Sequence, residues 1–174
     1  MYNPTSNDID LTGWSLKIIK TGSTSTSPLA TIKSNETSTI RARGFFLIGF
    51  SNYKNQQKPA DIVRSTSLPN DFEAIILYNK EGQEIDDFNY AKYQNQFGKI
   101  PEGNSIERKA FYNNQCLNPF ESAEFFGNGC DSDEPDDFLL RQNPNPQNSQ
   151  SLIEPRNAPE IIGLEANYDN QELN

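Results

Sequence analysis

Residues 1–16 read Met-Tyr-Asn-Pro-Thr-Ser-Asn-Asp-Ile-Asp-Leu-Thr-Gly-Trp-Ser-Leu, and this stretch is the most informative part of the sequence. Its Asn3-Pro4 pair is a turn former, because proline fixes φ and asparagine bonds its own backbone. Further on, Trp14 and Ile18 fall on one face of a strand of period two. Trp14 is the only tryptophan in the chain. A tryptophan in an alternating strand most often packs between two sheets, so we expect Trp14 in the core.

Strand-like runs separated by turn residues continue along the chain, which is the pattern of an all-β sandwich. The apolar run Phe45–Phe50 is the best candidate for a central strand buried on both faces. Residues 73–78 and 83–90 predict a hairpin, with Gly82 at a turn position that requires positive φ. The side chains that we expect to form the core with Trp14 are Phe46, Ile48 and Ile76.

Two segments lack a strand pattern. Ala91–Phe97 is predicted to be irregular, and so is the long stretch Lys109–Asp137. Long irregular segments in compact domains are usually functional or held by a covalent link, so the second segment is where we look for a site.

The opening stretch carries Tyr2-Asn3-Pro4, Asp10-Leu11 and Gly13-Trp14-Ser15-Leu16, and it resembles the beginning of a lamin tail domain. Later motifs resemble the same family in the same order, over about residues 1–150 in all. The resemblance implies an immunoglobulin-like β-sandwich of about 7–9 antiparallel strands. It also implies a binding and packing module without catalysis. The later motifs are Arg43–Ile48, Ala74–Tyr90, Gly103–Arg108 and Phe138–Ser149.

The domain boundaries follow from the same comparison. We place the sandwich at residues 1–156, and at 157–174 a linker with the start of a further β-sandwich domain. The family pattern has one more strand before Tyr2, so we expect the first strand to lie upstream of this chain. We therefore expect a segment of a longer multidomain protein. No signal peptide is visible, and we expect it to have been lost with the missing N-terminal region.

Composition limits the classes of function. The 174 residues carry a net charge of −9, and Arg41 with Arg43 is the densest basic pair. Nucleic-acid binding by phosphate neutralisation needs several clustered cations, so the charge argues against that partner. No apolar run in this segment approaches the roughly 18–20 residues of a membrane span.

The absence of histidine excludes Ser-His-Asp and Cys-His catalytic arrangements. No phosphate-binding or dinucleotide fingerprint is present either. Although 24 acidic residues could include a catalytic carboxylate pair, no spacing singles one out. We therefore predict that the chain is not an enzyme.

Cys116 and Cys130 lie 14 positions apart in the long irregular stretch. An even number of cysteines at loop spacing favours one disulfide in an exported protein, and the alternative is two free thiols in a cytosolic one. Phe111-Tyr112 and Phe125-Phe126 flank this region. They either form an exposed aromatic patch or pack the loop onto the sandwich.

The acidic loop after Cys130 is a candidate calcium site, and calcium is the one cofactor that the sequence suggests. Carboxylates in a glycine-containing loop offer the oxygen ligands that Ca²⁺ prefers. The spacing does not fit an EF-hand, and the alternative is a solvated acidic loop with Asx turns. The candidate ligands are Asp131, Asp133, Asp136 and Asp137.

These observations favour a non-catalytic interaction or structural module of a larger exported or cell-surface protein. Its partner would be protein, cell envelope or glycan, reached through loops or edge strands. The alternative is a nucleic-acid-associated accessory domain, or an accessory domain of a secreted hydrolase or nuclease. The net charge of −9 weighs against the nucleic-acid role.

Overall fold

The structure is a computed structural model that describes residues 1–69, 71–118 and 126–155. The segment 157–174, where the sequence predicts a linker and a further domain, lies outside the described residues. That domain boundary therefore stays a prediction.

The described residues form short strands, one helix and one 3₁₀ turn. The helix α1 covers Tyr90–Phe97 and the 3₁₀ turn covers Pro135–Asp137. The strands are β1 Ile9–Asp10, β2 Ser15–Ile19, β3 Thr26–Thr31, β4 Thr39–Ile40, β5 Ile48–Gly49, β6 Ile62–Val63, β7 Ala74–Tyr78, β8 Glu84–Asn89, β9 Ser105–Arg108, β10 Ala110–Tyr112, β11 Gln115–Leu117 and β12 Phe138–Arg141.

The largest sheet has four antiparallel strands in the order β3-β2-β7-β8. Three antiparallel pairs accompany it, β1 with β4, β9 with β12, and β10 with β11. The all-β prediction is confirmed. One short pair departs from the antiparallel arrangement, because β5 and β6 pair in parallel.

The core forms where β1, β4 and β6 meet the segment before β5. Phe46 is fully buried there, and Trp14 and Ile48 pack against the cluster while remaining half-buried. Ile76, the fourth predicted core residue, is 7% exposed in the middle of the four-stranded sheet. The buried members of the cluster are Leu11, Ile32, Ile40, Phe46 and Ile62.

The apolar run Phe45–Phe50 does not form the long central strand that the sequence predicts. Only two of its residues belong to β5. Its backbone divides its hydrogen bonds among several partners, because Phe46 pairs with Met1 while the Leu47 N–H donates to the Asp61 carboxylate. The Asp61 carboxylate thus accepts the hydrogen bond that the backbone of a neighbouring strand would otherwise accept.

The segment predicted as irregular at Ala91–Phe97 is helical. The Asn89 side chain caps α1 by accepting a hydrogen bond from the Lys92 N–H. Tyr90 and Tyr93 lie three positions apart, so they share one helix face, and both are buried. The helix ends at Gly98, whose φ is 84°. This arrangement brings α1 against the aromatic ring of Phe88, which contacts both tyrosines.

Candidate interaction site

A cleft of about 490 Å³ lies between the N-terminal segment and β9. This volume falls within the roughly 300–1,000 Å³ that is typical of ligand pockets in proteins. Aromatic rings line part of its wall, and a charged network forms another part. The residues that matter for its chemistry are Tyr2, Phe45, Tyr53, Asp86, Arg108 and Asp131.

Arg108 lies at the centre of the charged network. Its guanidinium donates to the carboxylate of Asp86 at 2.6 Å and to that of Asp131 at 2.7 Å. It also donates to the Cys130 carbonyl at 2.8 Å. The cation lies over the ring of Phe138, 4.6 Å from the centroid. These contacts from four directions fix one orientation of the Arg108 side chain.

Two carboxylates share this one guanidinium, so the network carries excess negative charge. Burial raises the pKa of Asp86, and the neighbouring Asp131 and Asp87 raise it further, while Arg108 opposes the shift. The net direction is upward. The ionised form of Asp86 is therefore destabilised in the folded chain, even though an arginine lies beside it.

This shift predicts a pH-dependent effect of Asp86→Asn. Because the pKa of Asp86 is higher in the folded than in the unfolded chain, the folded state holds the proton more tightly. Protonated Asp86 provides its full stabilisation below the pKa that this side chain has in the unfolded chain. The stabilisation is lost as the pH rises through the higher pKa of Asp86 in the folded chain. Asparagine resembles the protonated acid at every pH. The melting temperature of the variant, relative to the parent, should therefore rise between about pH 4 and pH 7.

Glu84→Gln is the matched control, because it removes one charge from an exposed position of the same strand. Thermal melts of both variants and the parent across this range provide the test. A relative melting temperature for Asp86→Asn that falls with rising pH would contradict the electrostatic interpretation.

A disulfide joins Cys116 in β11 to Cys130, as the sequence predicts. Cys116 is exposed and Cys130 is fully buried. The bond attaches the β10–β11 hairpin to the segment that carries Asp131. This hairpin lies within the stretch Lys109–Asp137, so the prediction that the whole stretch is irregular is wrong.

The hairpin turns at Asn113 and Asn114, which both have positive φ, of 50° and 60°. Tight two-residue hairpins require this conformation, and asparagine tolerates it better than most residues. The turn leaves Phe111 and Tyr112 exposed at 48% and 42%. Tyr112 stacks on Phe126, with 4.2 Å between ring centroids. Of the four aromatic residues named in the prediction, Phe111 and Tyr112 are thus exposed and Phe126 is half-buried beneath Tyr112, while Phe125 lies outside the described residues.

The four predicted calcium ligands are not brought together. Asp131 pairs with Arg108, and Asp136 accepts a hydrogen bond from the Gln96 side chain. Asp133 occupies a turn position with φ of 60°. Within the described ranges, the one close group of candidate ligand atoms is Cys116, Cys130 and Asp137, and its two sulfurs form the disulfide.

Asp137 has a structural role that the sequence did not reveal. Its buried carboxylate accepts hydrogen bonds from the Ser132 N–H and hydroxyl, both at 2.6 Å, and from the Glu134 N–H at 3.3 Å. Burial acts to raise the pKa of Asp137, but these donors outweigh it and the pKa lies below its ordinary value. Asp137 therefore closes the acidic loop upon itself, which explains its position without a cation.

The C-terminal segment 147–155 is held by contacts that no sequence pattern predicts. Arg41, one member of the densest basic pair, donates to the carbonyls of Ser149 and Ser151, each at 2.7 Å. The buried Glu154 accepts a hydrogen bond from the Gly127 N–H, and its own carbonyl accepts one from the Tyr2 hydroxyl. Gly127 is needed there, since its φ is 76° and a Cβ at this position would collide with the Tyr2 hydroxyl. We call residues 147–155 the C-terminal strap.

Comparison with known families agrees with this architecture. The family model of the lamin tail domain matches residues 1–92, which is more than half of the 174 residues. The chain belongs to the lamin tail domain family. Lamin tail domains are non-catalytic immunoglobulin-like domains, and the described sheets fit that fold. Neither a curated protein nor a solved structure matches the chain.

The matched residues of this lamin tail domain comprise β1 to β8 and the first turn of α1. They include Asp86, whereas Arg108 and the disulfide lie beyond them. The cleft therefore joins the part that the family model matches to a part that it does not. In the described residues, no helix is long and apolar enough to cross a membrane.

Proposed function

We propose that this lamin tail domain is a non-catalytic interaction module of a larger exported or cell-surface protein. The observation that carries the proposal is the Cys116–Cys130 disulfide, because disulfides persist in oxidising compartments and are rare in the cytosol. The net charge of −9 suits a soluble surface domain. Its partner is a protein, an envelope component or a glycan.

The cleft at Arg108 is the surface that we propose for this partner. Its walls combine aromatic rings with a charged network whose geometry is fixed by four contacts. A pre-ordered surface of this kind binds with less loss of side-chain freedom than a mobile one. The disulfide also stabilises this surface, because Arg108 donates a hydrogen bond to the carbonyl of the disulfide-bonded Cys130.

The native protein from its source provides the test of export. Its thiols are alkylated under denaturing conditions, with and without prior reduction, and the intact mass is measured. We expect no alkylation before reduction and two alkylated cysteines within this domain after it. We also expect a mass well above 19.7 kDa, together with cleavage by protease added to intact cells.

Two reactive thiols without reduction, in a protein that added protease does not reach, would overturn the exported role. The reduced sample serves as the internal control, because it shows that both cysteines can be alkylated once the disulfide is open.

A further inference from the structure

A second concave surface lies between α1 and β12, apart from the cleft at Arg108. It is a groove of about 400 Å³ whose floor and walls are largely apolar. Phe97 is 49% exposed and Leu140 is 39% exposed, although both are large hydrophobic side chains. We call this surface the α1–β12 groove. Its apolar lining residues are Tyr93, Phe97, Ile100, Phe138, Leu139 and Leu140.

Two lysines, Lys99 and Lys109, also line the groove. Neither takes part in an ion pair within the described ranges. One carboxylate, Asp136, lines it too, and the side chain of Gln96 donates to one of its oxygens. The lining therefore carries a net charge of +1, from two lysines and one aspartate, on a chain whose net charge is −9.

We propose that the α1–β12 groove binds an acidic peptide segment of a partner protein. Apolar side chains of the segment pack on Phe97 and Leu140, and its carboxylates lie near Lys99 and Lys109. The argument is charge complementarity, because a locally positive apolar groove on an acidic domain selects a negatively charged apolar ligand. The proposal rests on the interaction role above and adds to it a second binding surface, with one class of partner for that surface.

The charge pattern favours a peptide over the other anionic macromolecules. Binding to anionic membranes through basic residues takes clusters of about 4–8 Lys or Arg. Nucleic-acid binding likewise neutralises several phosphates at once. The two lysines of the groove meet neither requirement, whereas they can pair with the few carboxylates of a short acidic peptide.

The test uses the full 174-residue chain and a labelled peptide, acetyl-Glu-Leu-Glu-Phe-Glu-Leu-amide, in fluorescence anisotropy. We expect saturable binding that weakens when the salt concentration rises from about 50 mM to about 300 mM. The double variant Lys99→Gln/Lys109→Gln should weaken binding about threefold or more, since each exposed ion pair contributes up to about fivefold. Leu140→Ser should weaken it as well.

Lys20→Gln is the matched control, because Lys20 is exposed and does not line the groove. It should leave the affinity unchanged, and all variants should keep the parent's melting temperature within a few degrees. A second control replaces each Glu of the peptide with Lys, which should abolish binding.

Three results with the peptides would overturn the proposal: no binding of the acidic peptide by the parent chain, equal binding by the Lys99→Gln/Lys109→Gln variant, or equal binding of the basic peptide. Retention on vesicles with 30% phosphatidylserine that depends on the same lysines would reassign the groove to membranes and would also overturn it. Each of these results leaves the thiol and protease tests of export intact, so failure of the two proposals can be distinguished.

Discussion

Replacing Phe46 with alanine is expected to lower the free energy of unfolding by about 3–5 kcal/mol. The side chain is fully buried and packs with Leu11, Ile40 and Ile62 at the centre of the core. Removing the ring loses its transfer free energy and leaves a cavity that β1, β4 and β6 can close only in part. Urea unfolding monitored by the fluorescence of Trp14, which packs against this cluster, measures the change.

Phe97→Ala is the matched control for this prediction. The same ring is removed, but Phe97 is 49% exposed, so we expect a loss on the order of 1 kcal/mol. Similar losses for the two variants would mean that the cluster around Phe46 is not the main source of stability.

The double variant Cys116→Ala/Cys130→Ala is expected to lose about 3 kcal/mol, which is the chain-entropy value for a closed loop of about 15 residues. Alanine suits the fully buried position of Cys130 because it places no new polar group there. The loss should appear as a lower urea midpoint.

Reductant provides the control for the second prediction. It should bring the parent chain close to the stability of the double variant, and it should leave the double variant unchanged. A double variant as stable as the oxidised parent would show that the β10–β11 hairpin is held without the disulfide.

Local signals were sufficient for much of the fold. The hairpin at Gly82, whose φ is 80°, follows from turn chemistry within a few residues. The strands β9 and β12 pair across about 30 positions, and each lies within a motif that carried the family resemblance, Gly103–Arg108 or Phe138–Ser149. The cap and tyrosine spacing of α1 were also local signals, and reading Asn89 as a helix cap would have found that helix.

The apolar run Phe45–Phe50 shows where local reading fails. Its composition indicates burial correctly, but the Asp61 carboxylate and Met1 decide how its backbone is paired. Both partners are distant in sequence, and no sequence pattern around residue 47 indicates that they pair with this run. Hydrophobicity therefore identified the buried residue Phe46 without identifying the strand.

The site was less predictable than the fold. Cysteine spacing and compartment logic were enough to predict the disulfide. The aspartates near the disulfide cannot be distinguished by sequence. In the structure, Asp137 accepts hydrogen bonds from backbone N–H groups, whereas Asp131 forms an ion pair with Arg108. Both concave surfaces are assembled from elements far apart in the chain, so composition alone could not place them.

The hydrogen bond from the Tyr2 hydroxyl to the Glu154 carbonyl joins residues 152 positions apart. Tyr2 and Glu154, near the two ends of the described structure, are therefore neighbours, as are the ends of domains that tolerate insertion into a host loop. A host protein that carried this fold as an insertion would therefore need to bring only two nearby points of its own chain together.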